Sequence, residues 1–189
     1  MIFTPEHVKL ILAGRKTETR RLVKPYHYAV YKGLDNTITE IATMPQYRRL
    51  YAVGRDYAIR PGRTLPGVPG VRQLILRIRK ERLWEMTEEN AIAEGCVRDE
   101  HMFTTMRSSG ARKYTASYKF EQLWNTINTR KADRWEVNPF VWAFKFACVP
   151  LSHVSRRKVC PQCGFKTVVA DAAWVEWRCL RCNTLYELP

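Results

Sequence analysis

No segment of the chain reaches the ~18 apolar residues of a membrane span, and no secretory signal pattern opens it. Neither a membrane protein nor a secreted one is expected. Acidic residues are scarce: 18 Asp and Glu stand against 32 Lys and Arg, a formal net charge of +14. A field of that sign favours polyanions, of which nucleic acid is the usual one, over simple solubility. Histidine is sparse too. His7, His27, His101 and His153 show neither metal nor catalytic-triad spacing and are expected to be structural or surface residues. There are no internal repeats and no low-complexity tracts. Cysteine is not spread as a disulfide framework. Four of the six are clustered, and Cys96 and Cys148 sit alone in periodic segments as small hydrophobes. This usage fits a reducing, cytoplasmic setting.

The clustered cysteines read Cys160-Pro161-Gln162-Cys163, then fifteen residues, then Cys179-Leu180-Arg181-Cys182. Each Cys-x-x-Cys places two thiolates on one tight turn, and the spacer lets a hairpin bring the turns together. Four sulfurs then close a tetrahedron around Zn²⁺. Four protein ligands leave no open position, so this zinc is expected to be structural. Trp174 and Trp177, beside Arg178 and Arg181, either stack on bases or pack against the zinc turns.

The remaining chain is long enough for one fair-sized domain, and 46% hydrophobic residues suffice for a core. Two units are expected: a body over 1–150 and a zinc ribbon over 151–189, joined by a short basic linker. The body carries most of the charge, 26 basic against 15 acidic residues, and the tail carries 6 against 3.

Within the body, Thr4-Pro5 marks a helix start, Val8, Ile11 and Leu12 its apolar stripe, and Gly14 its end. Residues 26–51 form a hairpin excursion, and Asp56 to Arg60 a short strand. Val71 to Leu83 is a long strand with Leu74, Leu76 and Ile78 on one face and Arg77 and Arg79 on the other. Thr87 caps a short helix in which Ala91 and Ile92 pack inward and Gly95 ends the run. Residues 98–116 are polar and loop-like. Phe120, Leu123, Trp124 and Ile127 make a buried helix face. Phe140, Trp142, Phe144 and Phe146 share one face of a final strand, as a barrel core or, less expectedly, a base-stacking platform. Many short strands with few helices predict a mainly β fold with α elements (α+β), a small β-barrel flanked by helices.

The richest motif is Gly14-Arg15-Lys16-Thr17-Glu18-Thr19-Arg20-Arg21. In extended chain Lys16 would side with Glu18 and Arg20, and Thr17 with Thr19 and Arg21. One interpretation is a solvated edge whose surface ion pairs contribute little. The other is a wall that holds phosphate or a base edge, with Arg forks and Thr donors. Arg15, Lys16, Thr17, Arg20, Arg21, Arg77 and Arg79 are the candidate nucleic-acid contacts.

A helix ending in Ile-Leu-Ala-Gly-Arg-Lys-Thr-x-Thr-x-Arg resembles the signature of the ASCH domain, of the PUA-like β-barrel superfamily. Further pieces follow in order: Val53-Gly54 with Asp56-Tyr57-Ala58-Ile59, Thr87-Glu88-Glu89-Asn90-Ala91, Glu94-Gly95, Phe120-x-x-Leu-Trp124, and Asn138-Pro139-Phe140-Val141-Trp142. Together they are similar to the longer form found in phage and prophage proteins. The resemblance covers about residues 1 to 149, with the ribbon outside it, and implies RNA or a modified nucleoside as ligand, RNA favoured over DNA. Small ASCH amidohydrolases act on N4-acetylcytidine through a lysine, a threonine and a glutamate, which map by position onto Lys16, Thr19 and Glu94. The resemblance implies a hydroxyl nucleophile at Thr19, a base at Lys16 and a proton shuttle at Glu94. Equally, Glu94 forms an ion pair with Lys16 or Arg20 and only holds the pocket together. Binding without chemistry, a ribonuclease, and a phage-type module that reaches a protein partner through the ribbon are the other expectations. The insertions at 26–51 and 98–116 depart from the small hydrolases.

Overall fold

The computed structural model describes residues 1–32, 37–98, 115–151 and 162, with the backbone of 168–169, 176–179 and 185–187. Helix α1 (Pro5–Leu12) begins where Thr4 Oγ1 accepts from the His7 amide, and it buries Val8 and Ile11. Leu12 is exposed, outside the stripe. Gly14, at φ +69°, turns the chain out of the helix, and the Leu10 carbonyl accepts both the Arg15 and Lys16 amides. This is a conformation L side chains rarely adopt. The turn swings residue 16 inward and delivers strand β1 (Glu18–Leu22).

The chain continues through β2 (His27–Lys32), β3 (Thr37–Thr43), β4 (Arg48–Ala52), β5 (Asp56–Tyr57) and β6 (Val71–Arg82). Helix α2 (Glu88–Ala93), helix α3 (Ala116–Ile127) and strand β7 (Phe140–Pro150) follow. Four strands form an antiparallel sheet in the order β1-β7-β6-β5, and three form a second one, β2-β3-β4. The fold is mixed α and β, with a curled antiparallel sheet as a half-barrel and few helices. Ile38 and Ile41 of β3 pack on Ile75, Ile78, Trp142 and Phe144 of β6 and β7, which joins the two sheets. The aromatic row of β7 is therefore core, apart from Phe140. That ring is exposed at the strand start and lies under the Arg82 guanidinium at 3.8 Å.

Several details differ from the sequence expectation. The strand expected over 56–60 stops at Tyr57, because the chain then pairs with the N-terminal segment: Arg60 N donates to Met1 O and Phe3 N to Arg60 O. In β6 a register shift between Ile75 and Arg77 breaks the alternation, so Leu74, Ile75 and Ile78 are buried while Leu76 is half-buried. Ile92 faces solvent, since in a helix of one and a half turns Ala91 alone reaches the core. Ile127 is exposed and Leu123 half-buried, so the lower part of the α3 face is a surface of a different kind. The loop expected over 98–116 lies mostly outside the described residues.

In the tail, β8 (Val168–Val169), β9 (Glu176–Cys179) and β10 (Leu185–Glu187) make a three-stranded antiparallel sheet with β9 central. Cys160, Cys163 and Cys182 lie outside the described residues, and of Cys179 only the backbone is described.

One side chain ties the two long-range helices together. Glu88 in the first turn of α2 accepts from the Ala116 and Ser117 amides, at 2.7 and 2.9 Å, while Thr115 Oγ1 accepts from Tyr118 N. The three leading amides of α3 are thus satisfied. Burial alone would raise the Glu88 pKa, but the amides of Ser117 and Ala116 outweigh it and hold the carboxyl below its ordinary value. Folding lowers this pKa, so the contribution is full above the unfolded value and disappears as pH falls through the folded one. Glu88→Ala should lose roughly 1–3 kcal/mol, a Tm drop of several degrees by calorimetry at pH 7. At pH 3 the deficit should shrink; an equal deficit at both pH values would contradict the assignment.

Candidate functional site

The site begins at the corner between α1 and β1. Lys16 is 1% exposed, and its Nζ donates to both the Oε2 and the backbone carbonyl of Glu94, each at 2.5 Å. Glu94 is the C-cap of α2, and the Thr17 amide donates to the neighbouring Ala93 carbonyl at 2.8 Å. An ammonium at the carbonyl end of a helix meets the negative end of its dipole as well as the carboxylate. Gly95 permits this approach. It sits at φ +93°, and a Cβ there would lie 2.9 Å from Leu10 Cδ1 and 3.4 Å from Lys16 Cβ.

Strand β1 supplies the rest. Arg20 has a fully buried side chain; its Nε donates to Glu81 Oε1 at 2.9 Å, and its Nη1 reaches Glu18 and Glu94 at 3.4 and 3.3 Å. Arg20 Nη2 lies 2.8 Å from Glu81 Oε1 as an ion-pair contact without hydrogen-bond geometry. Arg79 closes the cluster on Glu18 and Glu81. Burial lowers the Arg79 pKa, but the two carboxylates more than reverse this and raise it. Three cations (Lys16, Arg20, Arg79) therefore face three carboxylates (Glu18, Glu81, Glu94), and the cluster is internally neutral.

Beside this cluster lies a cavity of ≈ 260 Å³. Lys16, Thr19, Arg20, Arg21 and Glu94 supply polar lining, and Leu22, Phe120, Leu123, Trp124 and Ile127 supply apolar lining. Leu123 and Ile127, on the α3 face outside the core, are thus cavity-lining residues. Thr19 is 4% exposed, and among the described residues its hydroxyl has no hydrogen-bond partner. No hydrogen bond joins Thr19 to Lys16; the two that Lys16 Nζ makes among the described residues both go to Glu94.

The candidate nucleic-acid contacts separate into groups. Lys16, Arg20 and Arg79 are neutralised within the cluster. Arg21 is half-buried, lines the cavity and donates to the Ile2 carbonyl, with its guanidinium 5.5 Å from the Phe3 ring centre. Thr17 is half-buried, with both backbone polar groups paired. Arg15 is exposed and lines a separate small cavity with Ile92, Gly95, Cys96 and Val97. Arg77 is exposed on β6 beside Lys145, away from the 260 Å³ cavity. Cys96 is inert, since burial, then Glu94, pushes its thiol up to about 11.

His7 was missed from sequence, yet it lines the cavity. Burial, then the Lys16 charge, pushes its pKa below the ordinary value and favours the neutral imidazole. Its position one turn before Ile11 on α1 was the available signal. Glu18 and Glu81 were also missed, because an acid within a basic strand looks like a surface ion pair until its depth is known.

No family model and no curated protein matches the chain. A solved structure similar to it is the crystal structure of protein EF3133 from Enterococcus faecalis, described by the family model DUF984. The two are 15% identical, with a TM-score of 0.42, over 77% of this chain and 71% of that one. Among the described residues no helix is long and apolar enough to cross a membrane.

A buried pair that loses one member leaves an uncompensated charge. Glu94→Ala and Lys16→Ala should each cost roughly 3–5 kcal/mol in urea unfolding. The double variant Lys16→Ala/Glu94→Ala should cost clearly less than the two losses summed. Additive losses would contradict a coupled pair.

Proposed function

We propose that the 260 Å³ cavity holds a single nucleobase or modified nucleoside, presented by RNA to a PUA-like, ASCH-type body. The carrying observation is the convergence of Lys16, Thr19 and Glu94 on one cavity whose lining also includes Leu22, Phe120, Leu123, Trp124 and Ile127. Ligand pockets usually span roughly 300–1,000 Å³. At this size the cavity suits one base and not a stack of them. An apolar wall with Trp124 and Phe120 takes a base face, while Arg21, Thr19 and the edge of the ion cluster offer polar groups for its rim. The ordered signature from Gly14 to Arg21 supports the same reading, as does the net charge of +14.

A second reading, amide hydrolysis of an N4-acetylcytidine-like base, is favoured by the Thr19 hydroxyl, which no other described group engages. In that chemistry Thr19 Oγ adds to the acyl carbon and its proton passes to the Lys16–Glu94 pair. The acyl C–N bond breaks, and the exocyclic amine leaves with the relayed proton. Water then cleaves the acyl-threonine ester. Lys16→Ala is a poor test, since it leaves Glu94 short of its partner. Thr19→Ala removes the nucleophile and no described hydrogen bond.

Single-stranded RNA should bind, and its affinity should fall roughly tenfold or more between about 50 and 200 mM salt. Affinity unchanged by salt would refute phosphate contacts. For the second reading, wild type should deacetylate N4-acetylcytidine and Thr19→Ala should lose that turnover with an unchanged urea midpoint; an inactive wild type would remove it.

For the tail we propose a structural zinc on Cys160, Cys163, Cys179 and Cys182. Four thiolates are a soft, tetrahedral donor set, and the antiparallel pairing of β8, β9 and β10 matches the hairpin platform of a ribbon. The metal would fix the fold of residues 151–189 and supply no chemistry to the cavity. Purified protein should carry one zinc per chain by atomic absorption, and Cys163→Ser should lower that content; metal-free wild type would contradict the assignment.

A further inference from the structure

A second concavity lies next to the first and differs from it in charge. It measures ≈ 690 Å³, and four arginines line it: Arg21 from β1, Arg48 from β4, Arg60 after β5 and Arg72 from β6. Tyr51 and Tyr57 are also in its lining, with ring centres 5.5 Å apart, and Tyr51 packs on Phe144 of the core. Arg72 has a carboxylate, donating from Nε to Asp56 Oδ2 at 2.9 Å. Arg48 and Arg60 have none among the described residues. Around Arg20 three cations meet three carboxylates. In this cleft Arg72 has Asp56, while the exposed Arg48 and Arg60 gather beside Arg21 with no acid paired to them among the described residues, so the concavity carries an excess of positive charge.

Burial chiefly, with smaller contributions from the charges of Arg21, Arg60 and Arg72, pushes the Met1 α-amino group down to about 6. Ile2 and Arg21 line both concavities, so the cleft and the base cavity share these two residues.

We propose that the arginine cleft is a phosphate subsite, which holds the phosphate group of the nucleotide whose base enters the smaller cavity. This inference rests on the base-binding reading above. Arginine forks suit phosphate oxygens, and the cleft has room for more than one phosphate. The preferred ligand is then a nucleotide or an RNA segment, and a free nucleoside binds less well. A terminal phosphate and an internal phosphodiester offer the same chemistry to the arginines.

The test compares N4-acetylcytidine, its 5′-monophosphate, a short RNA containing that base, and inorganic pyrophosphate, by calorimetric titration of the full chain. Wild type should bind phosphate-bearing ligands roughly tenfold or more tighter than the nucleoside. In Arg48→Ala/Arg60→Ala that ratio should collapse toward one, and the salt dependence of RNA binding should flatten. Both residues are exposed and without acidic partners, so the urea midpoint should hold. A gain for the monophosphate assigns a terminal phosphate; a gain for the RNA alone assigns an internal one. Pyrophosphate binding that the double variant loses, with no nucleoside binding to wild type, would keep the cleft and reject the base cavity. Phosphate-bearing ligands that bind the double variant as they bind wild type would overturn the proposal.

Discussion

The contact between Lys16 and Glu94 organises this molecule. It joins residues 78 positions apart, closes the α1–β1 corner onto the end of α2, and lines the cavity. Everything local serves that closure. Gly14 redirects the chain, Leu10 holds the amides of the turn, and Gly95 leaves room for the lysine stem. Such a pair is weak as a source of net stability but costly to break from one side. Its value lies in specifying one arrangement of β1 against α2.

The ion cluster also sorts the arginines. A sequence so rich in Arg and Lys suggests one continuous basic wall. The structure instead divides it into an inner, neutral framework and an outer, unmatched set. Arg20 and Arg79 spend their forks on Glu18 and Glu81 and serve as scaffold. Arg21 stands at the boundary, and Arg48 and Arg60 lie beyond it. The division leaves neighbouring spaces of different character: one with apolar and aromatic lining, the other lined by four arginines.

Much of the scaffold was legible in the sequence because it rests on local rules. Thr4-Pro5 and Gly14 bound α1, Thr87 and Gly95 bound α2, and the aromatic row marked β7, all within a few residues of where the elements lie. The misses share a cause. The bulge at Ile75–Arg77, the solvent-facing Ile92 and the early end of β5 depend on partners far along the chain. The same holds at the site. The signature from Gly14 to Arg21 could be singled out, but which of its cations meets which acid could not. Arg20 finds Glu81 across 61 positions, and His7 shares its cavity with residues of α3 more than a hundred positions away. Arg48, Arg60 and Arg72 carried no motif at all; strand order alone brings them together.

On the reading proposed above, the space lined by the ion cluster and α3 receives a base. Methyl-resolved NMR addresses it directly, because Thr19, Leu123 and Ile127 each place methyl groups in residues that line that space. Titration with a nucleoside should shift those methyl signals together, saturably and along one binding curve, while core methyls such as those of Ile41 stay still. Signals of Thr19 and Leu123 that remain in place at ligand concentrations where binding is saturated would contradict the account.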